Sequence, residues 1–156
     1  MNSRDFEEFL SELNRAEVRY LIIGGYALAV HARPRATQDL DILFERTLEN
    51  ASKLVVAISA FFGGMDVGQT AEELVRTDTI LQIGHPPLRI DLFTDIPGVT
   101  DFDTVWRAGV PGAFGNVETR YIGRSDFVKA KQAAGRPQDL ADLQALGELP
   151  RTGSAS

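Results

Sequence analysis

Phe6, Phe9, Leu10 and Leu13 recur at helical spacing, with Asp5, Glu7 and Glu8 near the start, and predict an opening amphipathic helix. Residues 18–23 form a β-branched and aromatic run, short enough for a buried strand. Gly24-Gly25 follows at once, and residues 26–31 read as a helix closed by Pro34. Residues 39–44 alternate and predict a second strand. Thr47 then caps a helix with Leu54, Ile58 and Phe61 on one stripe, and Gly63-Gly64 stops it. A short helix is expected over 70–77. Strands are expected over 79–83 and 88–93, joined through Gly84-His85-Pro86-Pro87 as a hairpin. Residues 101–108 predict a short helix carrying Trp106, and 111–123 a small β segment. Ser125 caps a helix to Ala134, Gly135 breaks it, and Pro137 opens a last helix to about Leu146. Early alternation of helix and strand, followed by hairpin pairing, predicts an α/β (α+β) fold: a mixed sheet of about four or five strands with helices packed on it.

The chain of 156 residues suits a single domain over 1–150, and 151–156 read as a disordered tail. The longest apolar stretch, 20–30, holds two glycines and is too short to span a bilayer, so no membrane partner is expected. The first residues lack a signal-peptide pattern. The absence of cysteine removes disulfides, thiolate metal sites and thiol catalysis, and makes a cytoplasmic location the expectation. A net charge of −6 argues against general adhesion to nucleic acid. With only two histidines, any metal must be held mainly by carboxylates, which means a hard cation such as Mg2+ or Mn2+.

Three features carry candidate chemistry. On a strand, Asp39 and Asp41 project from one face while Leu40 and Ile42 enter the core. Two adjacent carboxylates repel, and a divalent cation removes that cost. Taken alone, an Asp-x-Asp pair is more often a turn or a solvated strand edge. Asp91 lies opposite Ile90 and Leu92 on its own strand; if that strand neighbours the first, three acids converge, enough for a metal clamp on a phosphoryl group. Gly24-Gly25, where strand becomes helix, allows backbone N–H groups to approach an anion, although close helix packing is the commoner reason for such glycines.

The run from Gly24-Gly25-Tyr26 to Arg35-Ala36-Thr37-Gln38-Asp39-Leu40-Asp41, followed by Asp91, resembles the signature of the nucleotidyltransferase fold, the DNA polymerase β superfamily. It is most similar to the small bacterial branch that includes AbiEii-like type IV toxins and minimal nucleotidyltransferases. Residues 129–143, containing Ala-Gly-Arg-Pro-Gln-Asp-Leu-Ala-Asp-Leu, resemble a lysine-then-Arg-x-x-Asp-x-x-Asp motif of that branch, with Gln138 where relatives often carry lysine. The resemblance implies that Gly24 and Gly25 hold the triphosphate of a nucleoside triphosphate and that Asp39 and Asp41 bind the metals. Asp91 would complete the second metal site and help deprotonate the attacking hydroxyl. The implied reaction is in-line attack on the α-phosphate with release of pyrophosphate.

Among supporting residues, Arg35 is a candidate phosphate contact, Arg33 a weaker one, and Thr37 a loop hydrogen-bonder. Arg120, Arg124, Lys129, Lys131 and Arg136 form a basic cluster in an acidic chain. Lys129 is favoured over Lys131 for the β- and γ-phosphates because it matches the motif better; two residues apart on a helix, they point in different directions. Asp139 is accounted for as a helix cap, and with Asp142 it shares a helix face. His31 reads as structural, His85 as a loop residue, and Trp106 as core or pocket wall. The resemblance leaves the acceptor open between tRNA or a partner protein and a small molecule, as for antibiotic nucleotidyltransferases; a non-catalytic nucleotide-binding sensor and a structural α/β domain with incidental aspartates are the alternatives. A short chain suggests a homodimer or a cognate partner protein, as in a toxin–antitoxin pair.

Overall fold

A computed structural model describes residues 3–32, 39–76, 80–85 and 87–148. Arg33, Arg35, Thr37 and the expected tail lie outside the described residues. The elements are α1 (Ser3–Arg15), β1 (Tyr20–Ile23), α2 (Gly25–His31), β2 (Asp39–Phe44), α3 (Leu48–Phe61), α4 (Ala71–Leu74), β3 (Ile80–His85), β4 (Leu88–Phe93), α5 (Phe102–Arg107), β5 (Val110–Phe114), β6 (Val117–Tyr121), α6 (Arg124–Ala134) and α7 (Pro137–Ala145).

The strands form one mixed sheet in the order β3-β4-β2-β1-β6-β5. β2 runs parallel to β4 and β1 parallel to β6; the other neighbours are antiparallel. The expected β segment after α5 is a complete hairpin, β5–β6, turning at Gly115 with φ +59°. That hairpin brings the sheet to six strands.

One face of the sheet is sealed by helices. Tyr20 donates its hydroxyl to Asn14 Oδ1 at 2.9 Å, which places α1 over the face that also carries Ile22, Leu40, Ile42, Ile90 and Leu92. The last five are fully buried, as are Phe6, Phe9, Leu10 and Leu13, the predicted stripe of α1. α1 and α3 meet edge to face through Phe9 and Phe61, whose ring centres lie 5.2 Å apart.

Local signals explain most boundaries. Thr47 and Thr70 cap α3 and α4 through their hydroxyls, which accept from Asn50 N at 3.1 Å and Glu73 N at 3.2 Å. Gly135 ends α6 in the left-handed conformation at φ +64°. Ser125 does not cap α6: Gly123 holds that position, without a side-chain bond, and Ser125 sits inside the first turn. His85 is the last residue of β3 rather than a loop residue. Trp106 is flanked by two guanidiniums, Arg19 at 5.1 Å and Arg120 at 4.9 Å from its ring centre.

Asn50 is a buried polar knot. Its Oδ1 accepts from Arg19 N at 2.7 Å, and its Nδ2 donates to the carbonyls of Arg19 and Glu45, each at 3.0 Å. It thereby ties α3 to the start of β1 and the end of β2. Asn50→Ala leaves these backbone groups without their partner and should cost about 2–3 kcal/mol. Urea unfolding is expected to show a lower midpoint with an unchanged denaturant slope.

Candidate active site

The face of β2 and β4 turned away from α1 carries the acids. Register pairs Asp41 with Asp91 and Asp39 with Arg89, so all four side chains emerge on the same face. Ile23 of β1 stands beside Asp41 on its other side. They border a cavity of about 550 Å³. Gly24, Asp39, Asp41, Arg89 and Asp91 form its polar floor, while Phe93, Ile96, Pro97, Phe127 and Ala130 supply apolar wall. The expected neighbouring of the two acidic strands is therefore found, and the three acids are brought to one cavity.

Arg89 is the central cation of this floor. Its Nε donates to Asp91 Oδ1 at 2.7 Å and one Nη to Asp91 Oδ2 at 2.9 Å, a two-pronged clamp. The same Nη reaches Asp39 Oδ2 at 3.3 Å. Asp41 is worse placed. Burial pushes its carboxyl up from the usual 3.8 to about 7; the charges of Asp91 and Asp39 add to the rise, and Lys131 and Arg89 only partly oppose it.

Gly24 lies directly against Asp41. Its φ of +74° falls in the region that favours glycine, and a Cβ there would collide with Asp41 Oδ2. Two requirements thus meet at one position: a left-handed turn out of β1, and room for the acid. Gly25 is buried as the first residue of α2, a helix of only seven residues. His31 closes that helix, its Nε2 2.7 Å from the Ile122 carbonyl, a structural contact as expected.

Across the cavity, α6 and α7 contribute a second charged group. Lys131 Nζ sits 3.1 Å from Asp139 Oδ1 and 3.1 Å from Asp142 Oδ2, and both aspartates are 1% exposed. Arg136 also engages Asp139 through Nε at 2.7 Å, and Gln138 donates to Asp142 at 2.8 Å. Burial works against the Asp139 charge, but hydrogen bonds from Arg136 and Lys131 prevail and hold its carboxyl down at about 2. Arg136 N donates to Asp139 Oδ2 at 3.0 Å, so the expected capping role holds.

Lys131 and Arg136 line the cavity; Lys129 is exposed and is not brought to it. The cause is helical periodicity. Phe127 and Lys131, four apart, share the cavity face of α6, while two residues turn Lys129 to the far side. The rest of the basic cluster is spent internally: Arg120 on the carbonyl of Trp106 at 2.8 Å, and Arg124 on Glu148 at 2.5 Å.

The donors suit a hard divalent cation in kind and in charge. They are all oxygen, and three carboxylates face one guanidinium, with one of them reluctant to ionise. They do not form a ready-made cage. Among the described residues no set of three or more acidic or histidine side chains is arranged to hold an ion, and Arg89 takes both oxygens of Asp91.

No protein-family model matches the chain, and no curated protein matches it. Among solved structures, its fold is similar to that of a Thermotoga maritima protein described as a "putative nucleotidyltransferase". The two superpose with a TM-score of 0.60 over 90% of this chain and 89% of that one, at 14% identity. The likeness is one of fold: a mixed α/β architecture shared over nearly the whole of both chains. Among the described residues no helix is long and apolar enough to cross a membrane.

Sequence reasoning gave Arg89 no role and favoured Lys129, whereas Lys131 is the lysine that lines the cavity. Signals for both existed. Arg89 stands two residues before Asp91, hence on the same strand face. Lys131 follows Phe127 by four, on the apolar stripe.

Two predictions follow from these charges. The unfolded chain ionises Asp41 near 3.8 and the folded chain near 7. In that interval the unfolded state holds fewer protons, so Asp41 costs stability as pH rises, with the full cost above 7. Asp41→Asn should change thermal stability little at about pH 4 and raise it at about pH 8, by on the order of 2–4 kcal/mol. Lys131→Met strips Asp139 and Asp142 of a shared partner and should cost about 3 kcal/mol by denaturant unfolding. Lys129→Met should cost less than about 0.5 kcal/mol.

Proposed function

We propose that the protein is a metal-dependent nucleotidyltransferase that moves a nucleoside monophosphate from a nucleoside triphosphate to a hydroxyl or phosphate acceptor. The observation that carries this reading is the parallel register of β2 and β4. It sets Asp41 beside Asp91, with Asp39 on the same face, at the floor of a cavity edged by Gly24. The fold likeness supports it at the level of architecture. The finer reading is the small AbiEii-like branch, acting on tRNA or protein as part of a toxin–antitoxin pair, which the motif resemblance supports.

In this reading Asp39 and Asp41 hold Mg2+ or Mn2+, and Asp91 completes the set. When bound, the cation supplies charge neutralisation for the transferring phosphoryl group. Gly24, at the cavity edge and with no side chain, lets its backbone approach phosphate oxygens beside Asp41. The acceptor oxygen bonds to the α-phosphorus, the bond from that phosphorus to the bridging oxygen breaks, and pyrophosphate departs. The proton of the acceptor hydroxyl passes to Asp91. The apolar wall at Phe93, Ile96 and Phe127 suits the flat face of a base. Lys131 and Arg136 also line the cavity, already paired with Asp139 and Asp142, and are the phosphate contacts of this reading in place of the Lys129 favoured from the motif. In this reading a second copy or a cognate partner protein completes the acceptor site.

The test is label transfer from each α-labelled nucleoside triphosphate, with Mg2+ or Mn2+, to total tRNA, lysate protein or aminoglycosides. Transfer that falls roughly a thousandfold in Asp41→Ala is the expected result. Transfer to aminoglycosides alone would assign the antibiotic-modifying class. Saturable nucleotide binding with no transfer would make the protein a sensor instead, and absence of nucleotide binding would refute the reading.

A further inference from the structure

The charged groups of the cavity fall into two sets with different fates. Lys131 and Arg136 have buried carboxylates of their own, Asp139 and Asp142, which belong to α7 and not to the acidic strands. Arg89 has none. Its partners are Asp91 and Asp39, the very side chains that the nucleotidyltransferase reading assigns to the cation. A guanidinium and a divalent cation seek the same lone pairs and the same negative charge, and the fork on Asp91 occupies both oxygens. A cation that takes Asp91 therefore competes with Arg89 for its negative charge and for the orientation of its oxygens.

The side chain is built to let go. Arg89 is the second residue of β4, its side chain is 26% exposed, and it lines the cavity rather than the core. Its planar fork matches phosphate oxygens as well as it matches a carboxylate. A triphosphate entering the cavity therefore offers Arg89 a replacement partner, while a bare cation offers none and would leave the guanidinium stranded beside a second positive charge.

We propose that Arg89 is an internal counter-ion that closes the carboxylate set to a divalent cation arriving alone and transfers its fork to the triphosphate when cation and nucleotide arrive together. This rests on the nucleotidyltransferase reading and adds to it a rule of entry. Metal and nucleotide bind with positive coupling because each removes an obstacle to the other. In the resting protein, Arg89 also limits the repulsion among Asp39, Asp41 and Asp91, so the acids can share one face before any ligand arrives.

The experiment is a Mn2+ titration followed by electron paramagnetic resonance, with and without a non-hydrolysable α,β-methylene nucleoside triphosphate. Wild type, Arg89→Gln and Arg89→Lys are compared. Wild type should bind Mn2+ weakly alone and at least about tenfold more tightly with nucleotide. Arg89→Gln should bind Mn2+ alone at least about tenfold more tightly than wild type and lose most of the coupling. Arg89→Lys, which keeps the charge but cannot fork, should fall between them and serves if the glutamine variant does not fold. Equal Mn2+ affinity in wild type and both variants, with coupling unchanged, would overturn the role of Arg89 and leave the nucleotidyltransferase reading intact. No Mn2+ binding by any protein, with or without nucleotide, would overturn both.

Discussion

The cleft depends on one backbone constraint, the parallel pairing of β2 with β4. Side chains alternate along a strand, so a register that buries Leu40, Ile42, Ile90 and Leu92 on the helix-covered face must turn Asp39, Asp41, Arg89 and Asp91 the other way. A slip of one residue would drive the acids into the core and the aliphatic residues into the cavity. Burial of the apolar set is thus what holds the charged set in place. The helix side gains from desolvation what the cavity side loses to repulsion, and the sheet transmits the force between them.

The same constraint accounts for what could be read in the amino-acid order. Alternation in Asp39-Leu40-Asp41-Ile42 and in Arg89-Ile90-Asp91-Leu92 states which residues share a face. Helical periodicity in α1, the Thr47 cap of α3, and Gly135 are local signals that need no knowledge of neighbours, and each marks its element. Strand order is different. Nothing in the sequence of β2 says that β4 lies beside it, so the meeting of Asp41 with Asp91 was conditional until the sheet was seen.

The residues that sequence reasoning passed over share a physical character. Lys131 takes its partners from another element, and Arg89 joins a neighbour on its own strand, Asp91, to an acid on a different one. Lys131 answers to Asp139 and Asp142 on α7, and Arg89 answers to Asp39 some fifty positions earlier. A basic cluster of Arg120, Arg124, Lys129, Lys131 and Arg136 reads as an anion site in one dimension. In three dimensions most of that charge is already matched, on the Trp106 carbonyl, Glu148, Asp139 and Asp142. Local composition reports how much charge is present, whereas function depends on how much of it is left over.

Comparison of the two acidic groups across the cavity sharpens that point. Both consist of buried or half-buried aspartates with basic neighbours. On α7 the balance is settled: Asp139 receives hydrogen bonds from Lys131 and Arg136 and its carboxyl is held down at about 2. On β2 it is not: Arg89 spends its fork on Asp91, and Asp41 is left with burial and two like charges, pushed up to about 7. The deficit sits where Gly24 has no Cβ, and where any Cβ would collide with Asp41. Asp41 is thus held between burial and like charge, and it fits there because position 24 is glycine.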